Sequence, residues 1–234
     1  MPLKIPEPSS GTTCPQAAEN PKTVIQCDFD STIIAEDISF MILDAFADSI
    51  WRDFLEEYRT GRMPVGDFNS RSFTLVKADE KTLLDYILVQ SGVKIRPGFT
   101  ALLDYCAGKG FDFVVVSNGL SFYIEAILKN AGLENIEVHA ADTQFSPDGL
   151  KVAYIGPDGQ EKRDGFKQTY TDLFRGRGCR VVYIGDGFSD ILPAGQAHHI
   201  FARDDLLAHC RKEKIDCLPF EDLHDVVKGL KRLS

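Results

Sequence analysis

Apolar positions along this chain fall into two kinds of run. Three short β-branched runs, TVIQC (23–27), FVVV (113–116) and RVVYI (180–184), are continuous rather than alternating. Strands buried on both faces of a parallel sheet read this way. Each run is followed by a polar or glycine-containing turn and then by helical periodicity, so the expected class is α/β with open loops along one sheet edge. The segment 36–94 is of the other kind and holds no strand-like run. Ile38, Met41, Ile42 and Ala45 share one helical face, and Trp51, Phe54, Leu55 and Tyr58 share another. Further helices are predicted over 65–76 and 80–90, the second from Leu83, Leu84, Ile87 and Leu88. Pro97-Gly98 marks a return to the core, with a helix expected over 99–106. Turn signals at Ser146-Pro147-Asp148-Gly149 and Gly156-Pro157-Asp158-Gly159 predict hairpin-like connections across 136–162. The expected organisation is a leader (1–21), a core (22–35 plus 95–234) and a helical insert (36–94) placed as a candidate lid.

Composition narrows the function classes. The 234 residues carry 26 Lys+Arg against 35 Asp+Glu, a formal charge of −9, which disfavours a nucleic-acid surface. With 44% hydrophobic residues, a chain of this length builds a core without disulfide or metal staples. No apolar stretch approaches the roughly 20 residues of a membrane span, and no signal-peptide core is present, so a cytoplasmic protein is expected. The six cysteines, at 14, 27, 106, 179, 210 and 217, include no C-x-x-C pair and read as reduced, mostly buried thiols.

The candidate chemistry lies in the loops after the three strands. Asp28-Phe29-Asp30-Ser31-Thr32 follows the first, and in open α/β sheets ligands bind beyond the carboxyl ends of strands. Taken alone, this carboxylate pair also suits turn and N-cap hydrogen bonds. Two further loops shift the balance. Ser117-Asn118-Gly119 follows FVVV and offers a hydroxyl and exposed main-chain N–H groups, a cradle for an anion. Gly185-Asp186-Gly187-Phe188-Ser189-Asp190 follows RVVYI and adds two more carboxylates. Carboxylates crowded at one rim repel unless a cation holds them, and hard oxygen donors select Mg²⁺. Mg²⁺ beside an anion cradle implies phosphoryl chemistry, for which Lys167 supplies a positive charge.

The ordered set DFDST, SNG, a lysine and GDGFSD resembles the haloacid dehalogenase-type phosphatase superfamily from Val24 to about Arg203. The resemblance implies a Rossmann-like parallel-sheet core with a small helical cap inserted after the first strand. It further implies that Asp28 attacks phosphorus and forms an aspartyl phosphate, and that Asp30 protonates the leaving oxygen and later activates water. Mg²⁺ would be held by Asp28, the main-chain carbonyl of Asp30 and Asp186, with Asp190 in the metal site orienting the metal's water shell or a ligand. Ser117, Asn118, Gly119 and Lys167 would hold the phosphoryl oxygens. A second Asp at position 30 favours a phosphatase over the superfamily's dehalogenases and transport ATPases.

Within that superfamily, the cap placement and the DFDST form resemble phosphoserine phosphatases and the 2-hydroxy-3-keto-5-methylthiopentenyl-1-phosphate phosphatases of methionine salvage. Asp37, nine residues after Asp28, matches an acidic position of both groups. Aligned without gaps from Gly61, Ser72 takes the place of the cap arginine of phosphoserine phosphatases, and Arg71 stands one residue, or 100° of helix, before it. Asp37 and Arg71 are therefore candidate cap-side contacts. The run from Phe201 to Leu207, with Cys210-Arg211 and Leu218-Pro219-Phe220, resembles the tail of the methionine-salvage enzymes. SNG in place of SGG is a departure from both groups. The expected partner is a small phosphorylated metabolite. Phosphoserine, phosphocholine, phosphoethanolamine and pyridoxal phosphate are alternative substrates, and a phosphotransferase or phosphomutase would use the same loops with another acceptor. A catalytically silent binding domain need not keep Asp28, Asp30, Lys167 and Asp186 together. Of the remaining polar candidates, His198-His199 reads as an ordinary exposed pair and Trp51 as packing. Arg203, expected at a strand end on the rim, reads either as a substrate contact or as a surface residue.

Overall fold

The structure, a computed structural model, describes residues 21–233. The expected leader lies outside the described residues except for Pro21, as does Cys14. Strand β1 (Thr23–Cys27) is buried along its whole length, as its unbroken apolar run requires. The chain then forms α1 (Ile38–Phe46), α2 (Trp51–Arg59), α3 (Val65–Phe73) and α4 (Glu80–Asp85). The helix predicted over 80–90 does not stay α-helical, because Tyr86–Gln90 widens into a π-turn closed by the Ser91 N–H on the Tyr86 carbonyl at 3.0 Å. Next come α5 (Phe99–Lys109), β2 (Asp112–Leu120), α6 (Ser121–Asn130), β3 (Glu137–Gln144), β4 (Lys151–Ala153) and α7 (Phe166–Gly176). The chain finishes with β5 (Arg180–Gly185), α8 (Ile191–Gly195), β6 (His199–Ala202), α9 (Asp204–Glu213), β7 (Leu218–Pro219) and α10 (Leu223–Leu233).

Among the described residues the strands form one seven-stranded sheet in the order β4-β3-β2-β1-β5-β6-β7. All neighbours are parallel except β3 and β4, the hairpin expected from the turn signals between them. From β1 the chain builds outward through β2, β3 and β4, then returns to β1's other side as β5. The order therefore reverses between β1 and β5, and the crevice beyond their carboxyl ends is where such sheets bind ligands. Register aligns the ends: Cys27 pairs with Val115 on β2 and with Ile184 on β5.

Helices α1 to α4 stand beyond that edge. Asp37 caps α1 by accepting the Phe40 N–H at 2.9 Å. Trp51 is buried and stacks on Phe40 at 5.6 Å, and Tyr58 stacks on Phe68 at 5.4 Å, so the aromatics of this segment form its own packing. Helix α3 is tied to the core chain: the Gly66 N–H donates to the Arg163 carbonyl at 2.9 Å, the Leu150 N–H to the Phe73 carbonyl at 3.1 Å, and the Arg163 guanidinium forks onto Asp67 at 2.6 Å. Cys27, Cys106 and Cys210 are buried, Cys179 and Cys217 are half-buried, and all are free. No described helix is long and apolar enough to cross a membrane.

Candidate active site

Asp28 is the first residue past β1, and its N–H continues the sheet ladder onto the Ile184 carbonyl at 2.9 Å. Its side chain is thereby fixed at the strand end. One oxygen accepts the Phe29 N–H at 2.7 Å, and the other lies 2.7 Å from the Lys167 ammonium. Lys167 is only 3% exposed and makes a second 2.7 Å contact with Asp190. Burial pulls that ammonium toward neutrality, but Asp190 and Asp28 more than offset it, and its pKa stands above the usual lysine range.

The support for Lys167 comes from within β1. Gln26 is wholly buried; its amide donates to the Lys167 carbonyl at 2.9 Å and accepts from the Thr171 hydroxyl at 2.9 Å. The first turn of α7 is thus clamped to the strand that carries the nucleophile candidate. A glutamine in a strand otherwise suited to two-sided burial was the available sequence signal.

Asp190 is fully buried, and both of its oxygens are committed. Oδ1 accepts from Lys167 and from the Tyr183 hydroxyl at 2.7 Å, and Oδ2 accepts the N–H groups of Asp186 (3.0 Å) and Gly187 (2.8 Å). It braces the loop after β5 and holds Lys167 from beneath. A side chain at Gly185 would put its Cβ 2.6 Å from the Asp190 carboxyl carbon, which explains glycine there. Asp186 faces the opening. One of its oxygens accepts the Thr32 hydroxyl at 2.7 Å, a contact that gives the last residue of DFDST a role.

Oxygen atoms of Asp28, Asp186 and Asp190 lie within 4.8 Å of one another. Hard carboxylate donors this close suit a divalent cation such as Mg²⁺. Their crowding also moves their titration. Burial, against the pull of Lys167, pushes Asp28 up to about 6; burial, then Asp28 and Asp190, push Asp186 up to about 8. Carboxyl groups raised in the folded state contribute stability that is full below the ordinary carboxylate range and is lost as pH rises through about 6 and then about 8. A bound cation opposes that loss. Mg²⁺ is therefore expected to raise the melting temperature more at about pH 8.5 than at about pH 5, read by thermal denaturation of chelator-treated protein with and without the ion. An equal Mg²⁺ effect at both pH values would disconnect the ion from these carboxylates.

Asp30 lines the same opening. Its Oδ1 accepts the Ile38 N–H at 3.2 Å and its Oδ2 the Tyr123 hydroxyl. Burial, followed by repulsion from Asp37, holds its pKa well above the ordinary carboxylate range. Ser117 and Gly119 complete the floor, but differently from the expectation of a free cradle after the strand. Strand β2 runs on to Leu120 with a register shift between Val116 and Leu120, Ser117 is buried, and the Gly119 N–H donates to the Ser117 hydroxyl at 3.0 Å. The Asn118 carbonyl is held by the Asn69 amide at 3.0 Å and by the Tyr154 hydroxyl, while its side-chain oxygen is buried with no partner. Asn69 lies on α3, so the helical segment reaches this loop directly.

Asp28, Asp30, Asp37, Ser117, Asn118, Gly119, Lys167 and Asp186 line one cavity of about 680 Å³. Leu55, Tyr58, Val65 and Phe68 of the helical segment form an apolar wall, facing Phe188 and Ile191 of the core. Asp37 lines the cavity while capping α1. Arg71 does not join it. Its side chain is 52% exposed, lies over the Phe54 ring at 4.1 Å and approaches Glu57 at 3.7 Å. Ser72 is buried inside the helical segment with an unpartnered hydroxyl. The 100° step between them turns Arg71 to the outer face and Ser72 into the packing. Arg203 likewise turns away, bonding Asp204 at 2.8 Å and lying over the Phe220 ring. His198 is exposed and accepts the Val181 N–H at 3.0 Å, and His199 is half-buried on β6.

Comparison with known proteins agrees with this geometry. A family model described as haloacid dehalogenase-like hydrolase matches residues 25–192. A 2-hydroxy-3-keto-5-methylthiopentenyl-1-phosphate phosphatase of Brevibacillus brevis is 25% identical over 218 residues, covering 91% of this chain and 97% of its own. The protein of the same name from Exiguobacterium sibiricum is 28% identical over 216 residues, covering 88% and 95%. Among solved structures, a substrate-bound phosphoserine phosphatase aligns with a TM-score of 0.65 at 19% identity, covering 90% of this chain and 99% of that one. The phosphoserine phosphatase of T. onnurineus in complex with NDSB-201 aligns with the same TM-score at 20% identity, covering 94% and 98%. At these identities the structural likeness is one of fold.

Proposed function

Because the chain belongs to the haloacid dehalogenase-like hydrolase family, we propose that it is a Mg²⁺-dependent phosphomonoester phosphatase working through an aspartyl phosphate on Asp28. The observation that carries this reading is the buried Asp28 carboxylate 2.7 Å from Lys167, with the oxygens of Asp186 beside it and Asp30 lining the same cavity. Lys167 keeps Asp28 ionised against burial and turns positive charge toward the entering phosphoryl group. Asp28, Asp186 and the main-chain carbonyl of Asp30 would hold a Mg²⁺ ion, which would supply further positive charge against the phosphoryl oxygens. The Asp28 oxygen forms its bond to phosphorus as the ester bond breaks. Asp30, whose pKa burial and then Asp37 raise well above the ordinary carboxylate range, gives a proton to the departing oxygen and takes one from the water that later cleaves the aspartyl phosphate. Ser117, Asn118 and Gly119 hold the phosphoryl oxygens, and the segment 36–94 acts as a cap that excludes bulk water from the cavity.

The substrate is a small phosphorylated metabolite, and the first choice is the enol phosphate named by the relatives, 2-hydroxy-3-keto-5-methylthiopentenyl-1-phosphate. The apolar wall of Leu55, Tyr58, Val65 and Phe68 supports it, since a methylthio arm buries favourably there. Arg71, turned to the outer face, is no partner for the carboxylate of phosphoserine. A panel of phosphomonoesters scored by kcat/KM with Mg²⁺ tests both levels. The enol phosphate is expected to lead phosphoserine, phosphocholine, phosphoethanolamine and pyridoxal phosphate. A clear lead for phosphoserine would overturn the substrate choice, and no phosphate release from any ester would overturn the phosphatase reading.

A further inference from the structure

Tyr123 is buried to 0% exposure on α6, yet its hydroxyl contacts Asp30 and Ser39, both of which line the cavity. It donates to Asp30 Oδ2 and contacts the Ser39 hydroxyl at 3.0 Å. Because the phenol has one hydrogen and spends it on Asp30, the Ser39 hydroxyl is the donor in the second contact. The chain of hydrogen bonds therefore runs from Ser39 on α1, through Tyr123 on α6, to the carboxylate after β1. Asp30 Oδ1 is meanwhile held by the Ile38 N–H. Both oxygens are pinned, so the plane of the carboxyl group is set before any ester arrives.

Room for this arrangement is provided by Gly119. A Cβ at that position would lie 2.1 Å from the Tyr123 hydroxyl and 2.8 Å from Asp30 Oδ2. The glycine of the SNG loop thus serves the Tyr123–Asp30 pair as well as the floor of the cavity.

We propose that Tyr123 is a positioning residue for leaving-group protonation, holding the Asp30 carboxyl group aimed at the ester oxygen through the Ser39–Tyr123–Asp30 chain. This inference rests on the phosphatase reading above. In the step concerned, an Asp28 oxygen bonds to phosphorus, the ester P–O bond breaks with its electron pair going to the leaving oxygen, and the Asp30 proton moves to that oxygen. The alcohol departs neutral. Losing the aim of the proton costs most when the leaving oxygen is strongly basic and little when it departs readily as an anion. A tyrosine that only filled space would show no such dependence.

The test compares kcat/KM for phenyl phosphate, a poor leaving group, with p-nitrophenyl phosphate, a good one of similar shape, in the Mg²⁺-loaded wild type and Tyr123→Phe. This ratio ends at the departure of the alcohol, so slow breakdown of the aspartyl phosphate does not mask the effect. Tyr123→Phe is expected to lose about tenfold or more on phenyl phosphate and about twofold or less on p-nitrophenyl phosphate. Ser39→Ala, which removes the far end of the chain and leaves the ring in place, is expected to show the same order with a smaller gap, and it decides the matter should Tyr123→Phe not fold. Equal losses on the two esters, or none, would overturn the positioning role while leaving the phosphatase reading intact. A wild type inactive on both esters would overturn the phosphatase reading and this inference with it.

Discussion

Replacing Asp28 with asparagine is expected to lower phosphomonoester turnover by about ten-thousandfold or more, the scale on which enzymes lose a covalent nucleophile. The two side chains have nearly the same shape, and the amide oxygen still accepts the Phe29 N–H that Asp28 Oδ1 accepts at 2.7 Å. What disappears is the negative charge proposed to attack phosphorus. Stability is expected to move the other way. Asp28 is pushed up to about 6 chiefly by burial, so above that pH its ionised form weighs against the fold despite Lys167. The neutral amide removes that cost, and the melting temperature of the metal-free Asp28→Asn protein at about pH 8 should be no lower than that of the wild type. Phosphate release with Mg²⁺ and thermal denaturation without it are the two measurements. Turnover within about tenfold of the wild type would remove Asp28 from the chemistry.

The site was legible from sequence to the extent that its parts are local. Asp28 and Asp30 follow a strand whose two-sided burial leaves an unbroken apolar run, and the same holds for Asp186 after RVVYI, so loop and strand announce each other. Strand β3 has no such run: its EVHAADTQ sequence is only partly buried beside the short antiparallel β4, so the turn signal between them, rather than an apolar run, marked the hairpin. The two-residue β7 is too short for any pattern. Side-chain direction was illegible wherever packing decides it. Arg71 and Ser72 differ by one helical step, and only the seating of α3 against Arg163 and Leu150 determines which of them faces outward. The roles of Tyr123 and Gln26 were not legible in the sequence, because their polar ends act through partners 93 and 141 residues away in the chain. Asp190 read as a metal-site residue from its type and place in the loop; its oxygens do lie within 4.8 Å of those of Asp28 and Asp186, but the four hydrogen bonds it accepts from Lys167, Tyr183, Asp186 and Gly187 were not legible.

Lys167→Met is expected to damage both activity and stability, with a pH signature that separates it from an ordinary core substitution. Methionine fills much of the same volume, so packing is largely kept. The charge is not, and Asp28 and Asp190 each lose a contact of 2.7 Å in a site almost closed to solvent. Removing one partner of a buried ion pair costs about 3–5 kcal/mol, because the charge left behind has no compensation. Turnover should fall about 100- to 1,000-fold, the scale of losing a preorganised charge aimed at the transition state. Without the lysine, Asp28 is pushed still further above the ordinary carboxylate range, and a carboxyl group raised in the folded state loses its contribution as pH climbs. The stability deficit of Lys167→Met, measured by urea denaturation without metal, is therefore expected to be larger at about pH 8 than at about pH 5. Adding Asp28→Asn to it should restore part of the loss at the higher pH, since one of the two stranded charges is then gone; that coupling is read from the double-mutant cycle. A deficit independent of pH, with no recovery in the double variant, would mean that Lys167 supports the fold through its stem and carbonyl contacts with Gln26 rather than through its charge.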